Sequence, residues 1–147
     1  GGVVMRNKKN HLGQSLVEFA LVLPILLLLV FGAMDLGRMF YIKVALTNAA
    51  REGANYLAYH PEEVNDGDFT NAYEAIKAEA ESLGVEIDTN SEVDILGTCL
   101  ESECLPGQEI GVRISKPFDL MLGNLLAALG LTNGPLTLIS TIWMVLQ

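Results

Sequence analysis

Residues 13–38 read GQSLVEFALVLPILLLLVFGAMDLGR, and the architecture turns on this stretch. Between Phe19 and Met34 no side chain carries a charge; the interruptions are Pro24 and Gly32, with the acid Glu18 just upstream. A bilayer core about 30 Å thick calls for roughly 20 mostly apolar helical residues, and residues 15–34 supply that length with Leu, Ile, Val and Phe dominating. Backbone groups in hydrocarbon must satisfy one another, so the expected structure is a membrane-spanning helix.

Glu18 sits near the start of that span. A carboxylate at mid-bilayer costs roughly 2.5 to 3.5 kcal/mol on insertion scales, so an acid that persists there lies at an interface or meets a partner. One reading is an interfacial acid in the first helical turn, favoured by the helix dipole. The other uses its spacing. Arg6, Lys8 and Lys9 form a short basic leader, His11 and Leu12 follow, and Glu18 is the fifth residue after Gly13. This order resembles a class III, prepilin-type signal. The resemblance implies cleavage by a prepilin peptidase between Gly13 and Gln14 on the cytoplasmic face, with residues 1–13 as the leader and Glu18 as the recognition and assembly residue. Gln14 departs from the Phe or Met common at that position in type IV pilins.

The same stretch resembles the N-terminal segment of TadE-like pilus-assembly proteins, through the pair Glu18 and Phe19, Pro24 within the apolar run, and Asp35, Gly37 and Arg38 close to its end. The likeness continues in residues 48–54, NAAREGA, and returns weakly in residues 112–118, VRISKPF. It implies an α+β protein with a long N-terminal pilin-like helix, half in the membrane, followed by a small head with a second helix and an antiparallel sheet. It further implies a pseudopilin or minor pilin of a tight-adherence (Tad, Flp-type) pilus. The implied partners are the prepilin peptidase, other pilin-like subunits, the pilus assembly machinery and the membrane. In such a filament the mature helix leaves the bilayer for a helical bundle, and Glu18 faces a neighbour's N-terminal amine. The alternatives are an uncleaved single-pass anchor presenting a small envelope binding domain, or a filament-forming pilin, although Flp-type major pilins are little more than the helix.

A chain of 147 residues has room for a membrane helix and one domain of ordinary size. The net charge of −9 is unevenly spread: beyond Arg38 there are five basic and sixteen acidic residues. Basic residues flanking a span mark its cytoplasmic side, so the leader is expected inside and the acidic body outside. Nucleic-acid phosphates demand Lys and Arg clusters, so that acidic body argues against a nucleic-acid partner. Met5 is a candidate start, and residues 1–4 carry no structural weight.

Past Arg38 nothing stops the helix before Pro61: Val44, Ala45, Ala49, Ala54, Leu57 and Ala58 recur at helical spacing, so one helix is expected over residues 14–60 and the head over 61–147. The small residues Ala49, Ala50, Gly53 and Ala54 either pack under the head's own sheet or meet a neighbouring subunit. Residues 62–68 read as a polar turn, and Asp68 or Thr70 as the cap of a helix over residues 71–83 ended by Gly84. Val85, Ile87, Val93 and Ile95 alternate with acids as a strand or hairpin would; Ile110, Val112 and Ile114 form a strand ended by Pro117. Residues 118–131 are apolar but too short to span, and read as a short helix or loop packed on the sheet or as a patch facing membrane or subunit. After a turn at Asn133, Gly134 and Pro135, residues 136–146 form a last strand with Leu136, Leu138, Ser140, Ile142 and Met144 on one face, Ile139 and Trp143 on the other, and both faces covered.

Cys99 and Cys104, separated by LESE, read as a disulfide pinching a loop in a translocated domain. The two imidazoles are His11 in the leader and His60 at a helix end, so neither a metal nor a cofactor is expected. No nucleophile stands beside a base, and no phosphate-binding Gly loop occurs. Neither catalysis nor a small-molecule substrate is expected.

Overall fold

The computed structural model describes residues 11–100, 103–128, 130 and 134–147. Arg6, Lys8 and Lys9 of the leader and Asn133 of the last turn lie outside the described residues.

Helix α1 (His11–Tyr59) has 49 residues and is therefore about 73 Å long at 1.5 Å per residue. It passes Pro24, Gly32 and Gly37 without a break and starts earlier than expected, so the bond between Gly13 and Gln14 lies inside it. Extending an existing helix costs far less than nucleating one, which accounts for the extra N-terminal residues. Pro61 ends α1 and opens α2 (Pro61–Asp66), which replaces the expected polar turn. A proline is well placed at the first helical position, Glu62 and Glu63 complement the dipole there, and Gly67 closes the helix with φ +70°.

Helix α3 (Thr70–Ser82) carries Ala72, Ile76 and Ala80 on its buried face. Its cap differs from expectation. Phe69 occupies the N-cap position without a side-chain bond, while Asp68 Oδ1 accepts from the Thr70 amide at 3.1 Å and the Thr70 hydroxyl at 2.7 Å. At the other end Gly84 N–H reaches Glu81 O and Val85 N–H reaches Ala80 O, a Schellman closure that needs the φ of +68° which Gly84 adopts.

Strands β1 (Val93–Gly97), β2 (Glu109–Phe118) and β3 (Leu136–Val145) form an antiparallel meander in that order, with Ile95 opposite Val112 and Val112 opposite Ile142. The short helix α4 (Gly123–Ala128) lies in the β2–β3 connection. Val85 and Ile87 are buried as the alternation implied, yet they belong to no strand. Asp88 explains this: its carboxylate accepts from the Asn90 amide and the Ser91 hydroxyl, and its carbonyl accepts the Glu92 amide, so a local turn wins over a ladder.

Pro117 does not end β2 but sits inside it opposite Thr137. The Ser115 amide points to β1's side, where it bonds Glu92 O at 2.7 Å. Antiparallel bonding alternates, so position 117 would donate to the same side, beyond the start of β1, and the missing N–H costs the sheet nothing.

The second half of α1 packs on one face of the sheet, against β2 and β3, and α3 packs against α1. Their shared core contains Leu46, Leu57, Ile76, Ile110, Val112 and Ile114, all fully buried. The other face stays open, against expectation: Ile139 is 51% and Trp143 49% exposed, because α1 covers the inner side. Trp143 folds flat over Gly111, where an added Cβ would come within 2.8 Å of the indole. Ala49, Ala50, Gly53 and Ala54 are buried beneath the chain's own head, which decides between the two readings of the small-residue stripe. Cys99 and Cys104 are disulfide-bonded, and Asn65 of α2 holds their loop through the Cys104 amide at 2.6 Å.

Gly53 is the tightest point of the helix pair: a Cβ there would lie 2.4 Å from Ile76 Cγ1 and 3.5 Å from Val112 Cγ2. Overpacking of this kind costs about 1–3 kcal/mol, so Gly53→Val is expected to lower the thermal midpoint of the detergent-solubilised protein followed by circular dichroism. Gly37→Val, facing open space, is the matched control.

Candidate functional site: the bare half of the helix and its clasp to the head

From Leu16 to Met34 the apolar side chains of α1 have no covering from the rest of the chain, as the 71% exposure of Leu16 and 64% of Phe19 show. The most apolar window has a mean hydropathy of 2.6 and none of it is buried, making α1 a candidate membrane anchor by length and composition. A soluble molecule cannot leave such a surface to water, so lipid or other helices must cover it.

Gly13, Gln14, Glu18 and Phe19 lie together at the exposed start of this half. Gln14 Nε2 donates to Glu18 Oε1 at 3.3 Å, one helical turn away. A Cβ on Gly13 would meet nothing within 4 Å, so packing inside the chain gives no reason for glycine at that position. None of these four residues is brought to the disulfide of Cys99 and Cys104, which belongs to the head. His60 also belongs to the head: its ring stacks on Tyr56 at 4.1 Å and its Nδ1 lies 2.8 Å from Tyr56 O.

The other end of the bare half carries a feature that residue patterns alone left unread. Asp35, only 4% exposed, is the first buried residue along α1 among the described residues whose burial is defined. Its carboxylate accepts the Met121 amide with both oxygens at 3.0 Å and the Leu122 amide at 3.5 Å. One turn on, Arg38 Nη1 stands 3.6 Å from Asp35 Oδ1, and its guanidinium lies 5.2 Å over the Phe118 ring. A buried acid needs this kind of compensation, from oriented amides and a counter-ion. The Asp-x-Gly-Arg run is therefore a clasp that holds the β2–β3 connection against the helix just where its apolar run stops. An acid placed one residue after an uncharged run of that length was the available signal, but its partners are 86 residues away.

Two surface acids of the head titrate below their ordinary range. Asp68 is held down by the Thr70 hydroxyl and amide, and Asp88 chiefly by the Ser91 hydroxyl and then the Asn90 amide. Tyr56 moves upward, from burial first and then from its hydrogen bond to Glu63.

Together these features define an α+β protein built as an apolar anchor helix and a small head. The model of the TadE-like protein family matches residues 13–55, so the chain is similar to TadE-like proteins through this helix. The match spans α1 from Gly13 almost to its end and takes in Glu18 and the clasp residues Asp35 and Arg38. No curated protein and no solved structure matches the chain.

Asp35→Ala is expected to destabilise the head by about 2 kcal/mol, the order of a charge-assisted hydrogen bond lost. Asp35→Asn, which keeps one acceptor, should lose less. Thermal unfolding gives the size of the effect, and faster hydrogen exchange at the Met121 amide locates it.

For Asp68 and Asp88 the folded state binds the proton more weakly than the unfolded chain. Their contribution is complete above the ordinary value of 3.8 and is lost as pH falls below it through the folded values. The denaturation midpoint is thus expected to hold level from neutral pH to about 4 and then decline, with a shallower decline in the double variant Asp68→Asn, Asp88→Asn.

Proposed function

We propose that the chain is a pseudopilin or minor pilin, a non-catalytic structural subunit used in assembling a tight-adherence pilus. Residues 15–34 anchor it in the cytoplasmic membrane with the N-terminus inside and the acidic head outside. A prepilin peptidase cuts between Gly13 and Gln14, and the subunit then joins other pilin-like subunits and the assembly machinery. The single observation that carries this reading is the division of α1: its first half is apolar and bare, its second half is the core of a folded head. Such a helix suits two environments in turn, lipid before assembly and neighbouring helices after it. The TadE-like match supports the pilus association, and the exposure of Gly13, Gln14 and Glu18 is compatible with access by a protease.

In the assembled state Glu18 faces the amine freed at Gln14 of a neighbour. A carboxylate in so dry a place is costly unless paired, so the pairing sets the axial register of one subunit on the next. Until cleavage that amine does not exist, and Glu18 has Gln14 as its partner instead.

N-terminal sequencing of protein recovered from membranes is expected to begin at Gln14; a start at Met5 or earlier would favour the uncleaved anchor. Replacing Gly13 with a bulky residue should leave the longer form on a gel and remove surface pili. Glu18→Ala should insert and be cleaved normally yet fail to enter pili, and unchanged piliation would count against the register role.

A further inference from the structure

The clasp at Asp35 has a positional consequence for the β2–β3 connection. Taking residues 15–34 as the hydrocarbon span, Leu36 lies about 3 Å and Phe40 about 9 Å beyond Met34 along the helix. The Asp35 carboxylate holds the Met121 amide at 3.0 Å, so the segment entering α4 sits at that same level. The residues held there are apolar and open, Met121 54% exposed and Leu122 partly so, and α4, which follows at once, presents partly exposed Leu126 and exposed Ala127 and Ala128. On α1, Leu36 and Phe40 continue the apolar surface, with Phe40 73% exposed. Although the chain beyond Arg38 holds sixteen acids, residues 118–131 hold one, Asp119.

We propose that the lower rim of the head, formed by Met121, Leu122, Leu126 and Ala127 with Leu36 of α1, is a membrane-docking surface seated in the headgroup boundary of the outer leaflet. The inference rests on the anchored reading of residues 15–34 and adds to it where the head sits. Headgroup layers take up about 5–8 Å on each side of the core, and apolar faces of interfacial helices bury themselves about 5–10 Å deep, so a rim fixed at the level of residue 35 meets lipid and not bulk water. The rim is tied through Asp35 to the end of the bare half of α1, which favours lipid as the occupant over a separate protein partner. Extraction of the subunit into a filament then has to pull this rim out of the interface as well as the helix out of the core.

Trp143, the one tryptophan, provides the contrast. Lys43 Nζ bonds Ile139 O and the Gln147 amide bonds Ala58 O, so β3 climbs beside α1 away from the membrane, and the indole stands roughly 25 Å past Met34. The test uses the full chain in phosphatidylcholine vesicles brominated high on the acyl chains. Emission is read from natural Trp143 and, in a Trp143→Phe background, from Met121→Trp, Ala127→Trp and Leu27→Trp. The proposal expects Met121→Trp and Ala127→Trp to emit at shorter wavelength than Trp143 and to lose at least half their emission, with Trp143 nearly unquenched. Quenching of Leu27→Trp without quenching at positions 121 and 127 overturns the docked rim and leaves the anchor standing. No quenching of Leu27→Trp overturns both. A blue shift at position 121 that appears in detergent and grows with protein concentration assigns the rim to a second copy, and also overturns the proposal.

Discussion

A carboxylate buried at the place where the apolar run of a helix ends must be matched by donors that stay with it, and much of this molecule's arrangement follows from how Asp35 meets that condition. Two amides from the β2–β3 connection and the guanidinium of Arg38 supply the match. Because these donors come from a segment far away in sequence, satisfying the acid also fixes the head on the helix. Arg38 belongs to both sides of the joint, pairing with Asp35 and lying over Phe118 at the end of β2. An isolated surface ion pair would contribute little; here the acid is almost wholly withdrawn from solvent, and its bonds run to two backbone amides as well as to Arg38.

Helix α1 is therefore asked to be two kinds of helix in one run of hydrogen bonds. Below Asp35 it is apolar all round, as a span must be, and above Ala45 it narrows to a stripe of small residues with solvated Arg51 and Glu52 beside it. The small residues bring α3 and β2 close to its axis, and Gly53 marks the closest approach. That closeness lets a head with only a three-stranded sheet make a core, since the helix itself forms one wall of it. The head's integrity and the anchor's continuity are thus coupled through a single element.

What could be read directly from residues was whatever depends on near neighbours. The apolar run, the small-residue stripe, Pro61 as the end of α1, the Gly84 closure of α3, the close cysteine pair and the alternating strands each announce themselves within a few positions, because local sterics and periodic burial set them. Even some departures have local causes: Asp88 bends residues 88–92 into a turn with its own side chain, and Pro61 with two glutamates turns an expected loop into α2. Gly13, Gln14 and Glu18 were legible for the same reason, as a spacing within one stretch.

Tertiary structure alone decided which donors Asp35 would find, that Pro117 could sit inside a strand because its missing amide points past the start of β1, that the sheet keeps one face open, and that the small-residue stripe is covered by the chain's own head. Each of these depends on partners tens of residues distant. Periodicity records that a side chain is to be buried or a charge compensated; it does not record by what, since that is settled only when the chain closes on itself and a particular surface arrives within contact distance.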